Sequence, residues 1–108
     1  MPSIAMLEER NAAPIDRSLF ERVRENGRVA ARMADKLPSI VAHAGLSEEA
    51  LAELVLGIEA RRVESKQLVF DAEDGESERL LVLARNIENV WDRLARLAAA
   101  RQQTATRV

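Results

Sequence analysis

The sequence predicts an all-α fold, an antiparallel up-down-up bundle of three helices. Three observations lead to it. Apolar residues recur at alternating spacings of three and four over three long segments. Residues that favour helix termini stand between those segments, and no stretch alternates as a strand does. We predict a helical bundle over residues 16–103, an N-terminal arm over 1–15 and a C-terminal tail over 104–108.

The first helix is predicted over residues 18–44, with Asp16 or Ser18 as its N-cap. Pro38 lies within this segment, and a proline inside a helix removes one hydrogen bond and crowds the preceding turn. We therefore expect the helix to be kinked or broken at Pro38. Its predicted apolar stripe consists of Phe20, Val23, Gly27, Ala30, Ala34, Leu37, Val41 and Ala44.

The second helix is predicted to begin after Ser47, an N-cap followed by Glu48 and Glu49. Carboxylates in the first turn of a helix are stabilised by the positive end of the helix dipole. The acidic segment DAEDGES, residues 71–77, supplies the turn that ends this helix. Its predicted stripe consists of Leu51, Leu54, Ile58, Arg61, Ser65, Leu68 and Ala72.

The third helix is predicted to begin after Ser77 or Asp74 and to be the most apolar of the three. Its predicted stripe is Leu80, Leu83, Ile87, Val90, Leu94 and Leu97, with Ala84, Trp91 and Ala98 beside it. A stripe this wide suits a helix packed between two neighbours. We expect the only tryptophan, Trp91, to lie in the core against Gly27, Ala30 and Ala34 of the first helix.

Length and composition limit the classes of protein to which this chain could belong. A chain of 108 residues fits one domain, the absence of cysteine suits a reducing compartment such as the cytoplasm, and neither a leader nor a membrane-spanning run is evident. Charge is unevenly distributed: residues 46–78 carry 3 basic and 10 acidic side chains, whereas 79–108 carry 6 basic and 2 acidic ones. This pattern is explained by attraction between an acidic second helix and its basic neighbours, or by charged surfaces that bind a partner.

No set of residues predicts a metal site, a cofactor or a catalytic centre. His43 is the sole histidine, and no Glu-x-x-His pair accompanies it. The acidic turn before the third helix lacks the ligand spacing of a calcium-binding loop. Without a nucleophile paired with a base, or a glycine-rich loop, the sequence favours a non-enzymatic protein.

Three groups of residues are candidates for binding. Ile4, Met6 and Leu7 in the N-terminal arm could dock in a partner's groove, or fray, or pack on their own bundle. A basic row on the first helix could contact an acidic partner or phosphates, or be a solvated face. Arg61 and Arg62 could bind an anion, or pair with nearby glutamates. The basic row consists of Arg24, Arg28, Arg32 and Lys36.

The function predicted from these features is a non-enzymatic protein–protein interaction module, an adaptor, chaperone-like protein or accessory subunit that acts through helix faces. The alternatives are a small all-helical enzyme with an anion site at Arg61 or Arg62, and a nucleic-acid-binding regulator that uses the basic row. Apolar residues beyond the stripes predict a homo-oligomer, most simply a two-fold dimer, unless the arm covers them. They are residues 80–84, Val55, Val63, Val69 and Phe70.

Overall fold

The computed structural model describes residues 17–75 and 77–106, and nearly all of them are helical. Helix α1 spans Arg17–Ala42, α2 spans Glu48–Glu73 and α3 spans Glu78–Thr106, with no strand in these ranges. The three helices pack against one another. The predicted all-α three-helix bundle is confirmed, while the N-terminal arm, with Ile4, Met6 and Leu7, lies outside the described residues.

Two serines begin the second and third helices as the sequence predicts. The hydroxyl of Ser47 accepts a hydrogen bond from the backbone N–H of Ala50 at 3.1 Å. The hydroxyl of Ser77 does the same for Leu80 at 3.2 Å. Each hydroxyl satisfies one of the N–H groups that a helix start leaves without a partner. The turns between helices are therefore set by local chemistry.

Pro38 does not divide the first helix. Helix α1 continues through it to Ala42, so the predicted break into two helices is wrong, while the kink stays a prediction. Contacts on both sides of the proline hold this last part of the helix. The side chain of Leu37 is fully buried, and Arg101 of α3 donates from Nε to the backbone carbonyl of Val41 at 2.7 Å. Tertiary contacts here outweigh the local preference of proline.

Side-chain pairs between the helices show which residues of neighbouring helices lie side by side. Between α2 and α3, Glu73 pairs with Arg85 and Lys66 with Glu88, so residue numbers rise on one helix as they fall on the other. Between α1 and α3 the residue numbers rise together. Asn26 of α1 pairs with Trp91 of α3, and the Val41 carbonyl of α1 pairs with Arg101 of α3. An up-down-up arrangement requires this order.

The core of α3 follows the predicted stripe at Leu80, Ile87 and Leu94 and, as predicted, includes Trp91, but it differs at the other positions. Its buried residues are Leu80, Ala84, Ile87, Trp91, Leu94 and Ala98. Leu83 and Leu97, predicted to lie in the core, are each 38% exposed. Two adjacent stripes of α3 are apolar, and both have the spacing of a core seam. The structure buries the stripe with tryptophan and two alanines, in which large and small side chains alternate.

The core stripe of α1 is shifted in the same way, whereas that of α2 largely follows the prediction. Ala34 and Ala44, predicted to be buried, are exposed. On α2 the buried residues include Leu51, Ile58 and Ser65, and Arg61 is only partly buried. The buried residues of α1 are Leu19, Val23, Asn26, Ala30 and Leu37.

Candidate interaction surface

The outer side of α2 carries three large apolar side chains that the bundle leaves in solvent. Leu56, Val63 and Phe70 are 68%, 56% and 60% exposed. They are seven residues apart, so they form one row along the helix. Each stands two residues before a buried residue of α2, and two residues turn the chain about 200° around a helix. The row therefore points away from the core.

We call this surface the α2 outer face, and it also includes the smaller or polar residues beside the row. Ala60 and Gln67 lie between the three apolar residues, at spacings of three and four, and both are exposed. The complete set is Leu56, Ala60, Val63, Gln67 and Phe70. A helix normally has one apolar stripe, facing its own core. Helix α2 has a second one with no partner among the described residues.

The sequence identified part of this face. Val63 and Phe70 were among the apolar residues predicted to exceed the needs of a single bundle, and both are exposed. Val69 and Val55 were in the same group, but Val69 is buried in the core and Val55 packs against it. Leu56, the most exposed large apolar residue of the described helices, was missed, although its spacing of seven residues from Val63 was a signal available in the sequence.

Carboxylates border the α2 outer face at its N-terminal end. Glu49 continues the row of Leu56 by seven residues, and Glu53 lies one turn before Leu56. Both are exposed, and neither forms an ion pair with any residue that the structure describes. Farther along, Glu64 lies 3.6 Å from Arg61. The apolar row thus has an acidic border.

The predicted anion site at Arg61 and Arg62 is surrounded by carboxylates of the same chain. Arg62 donates from Nε to Glu59 at 3.2 Å, and its Nη1 lies 3.6 Å from Asp92 of α3. The hydrogen bond from Arg62 lowers the pKa of Glu59 and, reciprocally, raises the pKa of Arg62. These are the glutamate pairs that the sequence offered as the alternative, so the structure gives the anion site and its enzyme no support.

The predicted basic row is exposed along α1. Its four members, Arg24, Arg28, Arg32 and Lys36, lie on the outside of the bundle. Arg28 donates to Glu25 at 2.6 Å. The guanidinium of Arg24 stands 5.7 Å from the centroid of the Phe20 ring, within the range of a cation–π contact. Acidic residues are interspersed along the same helix.

A buried hydrogen bond between α1 and α3 was missed in the sequence. The indole Nε1 of Trp91 donates to the Asn26 side-chain oxygen at 3.0 Å, and both residues are buried. The Asn26 Nδ2 is also buried and has no hydrogen-bond partner among the residues that the structure describes. Asn26 directly precedes Gly27, the residue that the sequence predicts for the core. The spacing Leu19, Val23, Asn26, Ala30 was the signal that could have revealed it.

The remaining features to consider are the sole histidine, possible metal ligands and membrane-spanning helices. His43 is exposed, and its Nδ1 accepts a hydrogen bond from the backbone N–H of Gly45 at 3.0 Å. Within residues 17–75 and 77–106, no three His, Cys, Asp or Glu side chains are grouped so that they could hold a metal ion. None of the described helices combines the length and the apolar character needed to cross a membrane.

Comparison with known proteins assigns no relationship. No protein-family model, curated protein or solved structure matches the chain.

Proposed function

We propose that the protein is a non-enzymatic interaction module, an adaptor or accessory subunit that binds another protein through the α2 outer face. One observation carries the proposal: three large apolar side chains, Leu56, Val63 and Phe70, stand in a single row in solvent at heptad spacing. Scattered exposed apolar residues are ordinary on protein surfaces, but aligned ones mark contact sites.

The geometry of the row favours a helical partner. Side chains spaced by seven residues on a straight helix fit between the side chains of a second helix laid along it. Ala60, between Leu56 and Val63, is small enough to let another helix come close. The partner would bury its own apolar stripe against the row, as amphipathic helices do in helix-in-groove recognition.

The acidic border of the face sets the charge of the partner. Glu49 and Glu53 are exposed and unpaired with described residues, so basic side chains beside the partner's apolar stripe would meet them. Complementary charges at the edge of an interface speed association and exclude wrongly charged partners. The proposed partner is therefore an amphipathic helix with arginine or lysine next to its apolar positions.

Two matched substitutions test the proposal. Val63 on the face and Val82 on the outside of α3 are both 56% exposed, so a glutamate at either position enters a similar environment. Val82 stands two residues before the buried Ala84, so it also points away from the core, but it lies on a different helix. The wild-type protein, Val63→Glu and Val82→Glu would each be purified with their partners from the native cell. Quantitative mass spectrometry would then compare the recovered proteins.

We expect at least a tenfold loss of bound partner in Val63→Glu, because a buried unpaired carboxylate at the centre of the contact is costly. Val82→Glu should recover the same partner as the wild type. Circular dichroism would first establish that both variants fold. Equal recovery by all three proteins would show that the α2 outer face is not the binding surface.

A further inference from the structure

A second apolar surface lies along α3. It consists of the residues that stand one position before each buried residue of this helix, about 100° around the helix from the core. Its large apolar members recur every seven residues, and the outer two, Leu83 and Leu97, are 38% exposed. We call this surface the α3 strip. It is Arg79, Leu83, Asn86, Val90, Arg93 and Leu97.

Helix α1 has a matching strip, which we call the α1 strip. It is Phe20, Arg24, Gly27 and Ala31, each one position after a buried residue. Residue numbers rise together on α1 and α3, so the position after a core residue on α1 and the position before one on α3 face the same side. Helix α2 lies on the opposite side, because the guanidinium of Arg22, one position before a core residue of α1, lies 3.8 Å from the carboxylate of Asp71.

The two strips meet at a cavity beside the start of both helices, and we call the surface between them the α1/α3 groove. The cavity has a volume of about 260 Å³ and is lined almost entirely by apolar surface. Phe20 of α1 and Leu83 of α3 both line it. Helix α1 begins at Arg17, three residues before Phe20, so the preceding part of the chain enters the bundle beside this cavity.

The charged side chains of the groove are all basic. Arg24, Arg79 and Arg93 are the charged members of the two strips, and all three are exposed. None of them forms an ion pair with a described residue. The α2 outer face, by contrast, has an acidic border that includes Glu49 and Glu53. The two apolar surfaces therefore attract side chains of opposite charge.

The N-terminal arm has a sequence that complements the groove. Its apolar side chains are followed directly by carboxylates, and over residues 1–16 three acidic side chains stand against one basic side chain. Apolar residues next to carboxylates suit an apolar groove bordered by arginines, whereas the acidic border of the α2 outer face repels them. The residues concerned are Ile4, Met6 and Leu7, followed by Glu8 and Glu9.

The arm is also attached at the right place and is long enough. Leu7 precedes Arg17 by ten residues, which span about 15 Å as a helix and about 33 Å when extended. The part of the groove from Leu83 to Leu97 is about 21 Å long at 1.5 Å per residue. To run back along it the chain must turn before α1, and Pro14 suits a turn. Because the arm is tethered beside the groove, its effective concentration there is in the millimolar range, so a weak contact suffices.

We infer that the N-terminal arm docks in the α1/α3 groove of its own chain. Ile4, Met6 and Leu7 contact the cavity and the apolar members of the α3 strip, and the carboxylates that follow them lie beside the arginines. The apolar surplus of residues 80–84 is then covered within one chain and needs no second copy. The inference is independent of the proposed function, because the α2 outer face lies on another helix and stays free for a partner.

Thiol labelling tests whether the arm covers the groove, since the natural chain has no cysteine. Leu83→Cys places a thiol in the wall of the cavity. Val82→Cys places one at the adjacent position, which is 56% exposed and lies outside the groove. Each would be made in two full-length chains, one with the natural arm and one with a serine arm. The serine arm carries Ile4→Ser, Met6→Ser and Leu7→Ser, which keep every charge.

The rate of reaction with a maleimide would be measured for the four proteins over a range of protein concentrations, after circular dichroism has established that each one folds. We expect the serine arm to speed labelling at position 83 by about tenfold or more and at position 82 by less than about twofold. The slow labelling at position 83 with the natural arm should be the same at every concentration, because the contact lies within one chain.

Three results would overturn the inference and leave the proposed function standing. Equal rates at position 83 with both arms would show that the arm does not cover the groove. Protection that disappears on dilution would show that the arm of another copy covers it. An equal acceleration at positions 82 and 83 would show that the serine arm loosens the beginning of α3 rather than uncovering a groove.

Discussion

Replacement of Trp91 by alanine is expected to lower the free energy of unfolding by about 3 to 5 kcal/mol. The indole is fully buried, so the substitution removes a large apolar side chain and leaves a cavity between the helices. It also leaves the Asn26 side-chain oxygen, to which the indole donates, buried without that donor. Both effects act in the same direction.

Denaturant unfolding followed by circular dichroism measures this loss, since the variant lacks the only tryptophan. Leu97→Ala is the control on the same helix. Leu97 is partly exposed, so its truncation should cost clearly less. A loss below about 1 kcal/mol in Trp91→Ala, or wild-type tryptophan fluorescence typical of an indole in water, would be incompatible with the buried position.

Replacement of Asn26 by leucine is expected to cost about 1 to 3 kcal/mol, although leucine is the more apolar residue. The substitution leaves the Trp91 N–H buried without its acceptor, and a buried donor without a partner is costly. Trp91→Phe leaves the Asn26 oxygen without its donor in the same way. The double variant removes both polar groups, so it should be more stable than the sum of the single effects predicts.

A double-mutant cycle measures this coupling through the free energies of unfolding of four proteins. We expect an interaction energy of about 0.5 to 3 kcal/mol, the range found for residues in direct contact. The Asn26 Nδ2 has no hydrogen-bond partner among the described residues. It is removed in Asn26→Leu and in the double variant alike, so its effect on stability cancels in the interaction energy. Strict additivity would show that the buried hydrogen bond does not couple α1 to α3.

The positions of the three helices could be predicted because local signals agree with the apolar spacing. Ser47 and Ser77 cap the second and third helices as their side chains and positions indicate. Pro38 predicted a kink or a break, and the break does not occur because tertiary contacts of Leu37 and Val41 continue α1 past the proline. Local preference is a weak guide where packing opposes it.

The choice of core stripe could not be made from the spacing alone. On α3, the row with Leu83 and Leu97 and the row with Ala84 and Trp91 are adjacent and equally regular. The structure buries the second row and leaves Leu83 and Leu97 of the first row exposed. The same ambiguity hid Asn26, because a polar residue next to a glycine is easily placed outside the core. Its burial and the hydrogen bond from Trp91 show that it belongs inside.

The predicted attraction between an acidic second helix and its basic neighbours accounts for part of the charge pattern. Arg85 of α3 lies 3.1 Å from Glu73 of α2, and Arg22 of α1 lies 3.8 Å from Asp71. Pairs at the surface contribute little to stability, so they bias the packing of the helices rather than determine it. Other charges, Glu53 and Arg93 among them, have no such partner among the described residues.

Site-specific photo-crosslinking in the native cell tests most directly whether the α2 outer face is a protein-binding surface. A photoreactive amino acid would replace Val63 in one protein and Val82 in another, two positions of equal exposure. The account predicts discrete cross-linked products from position 63 and none above background from position 82. No product from position 63, or the same products from both positions, would contradict it.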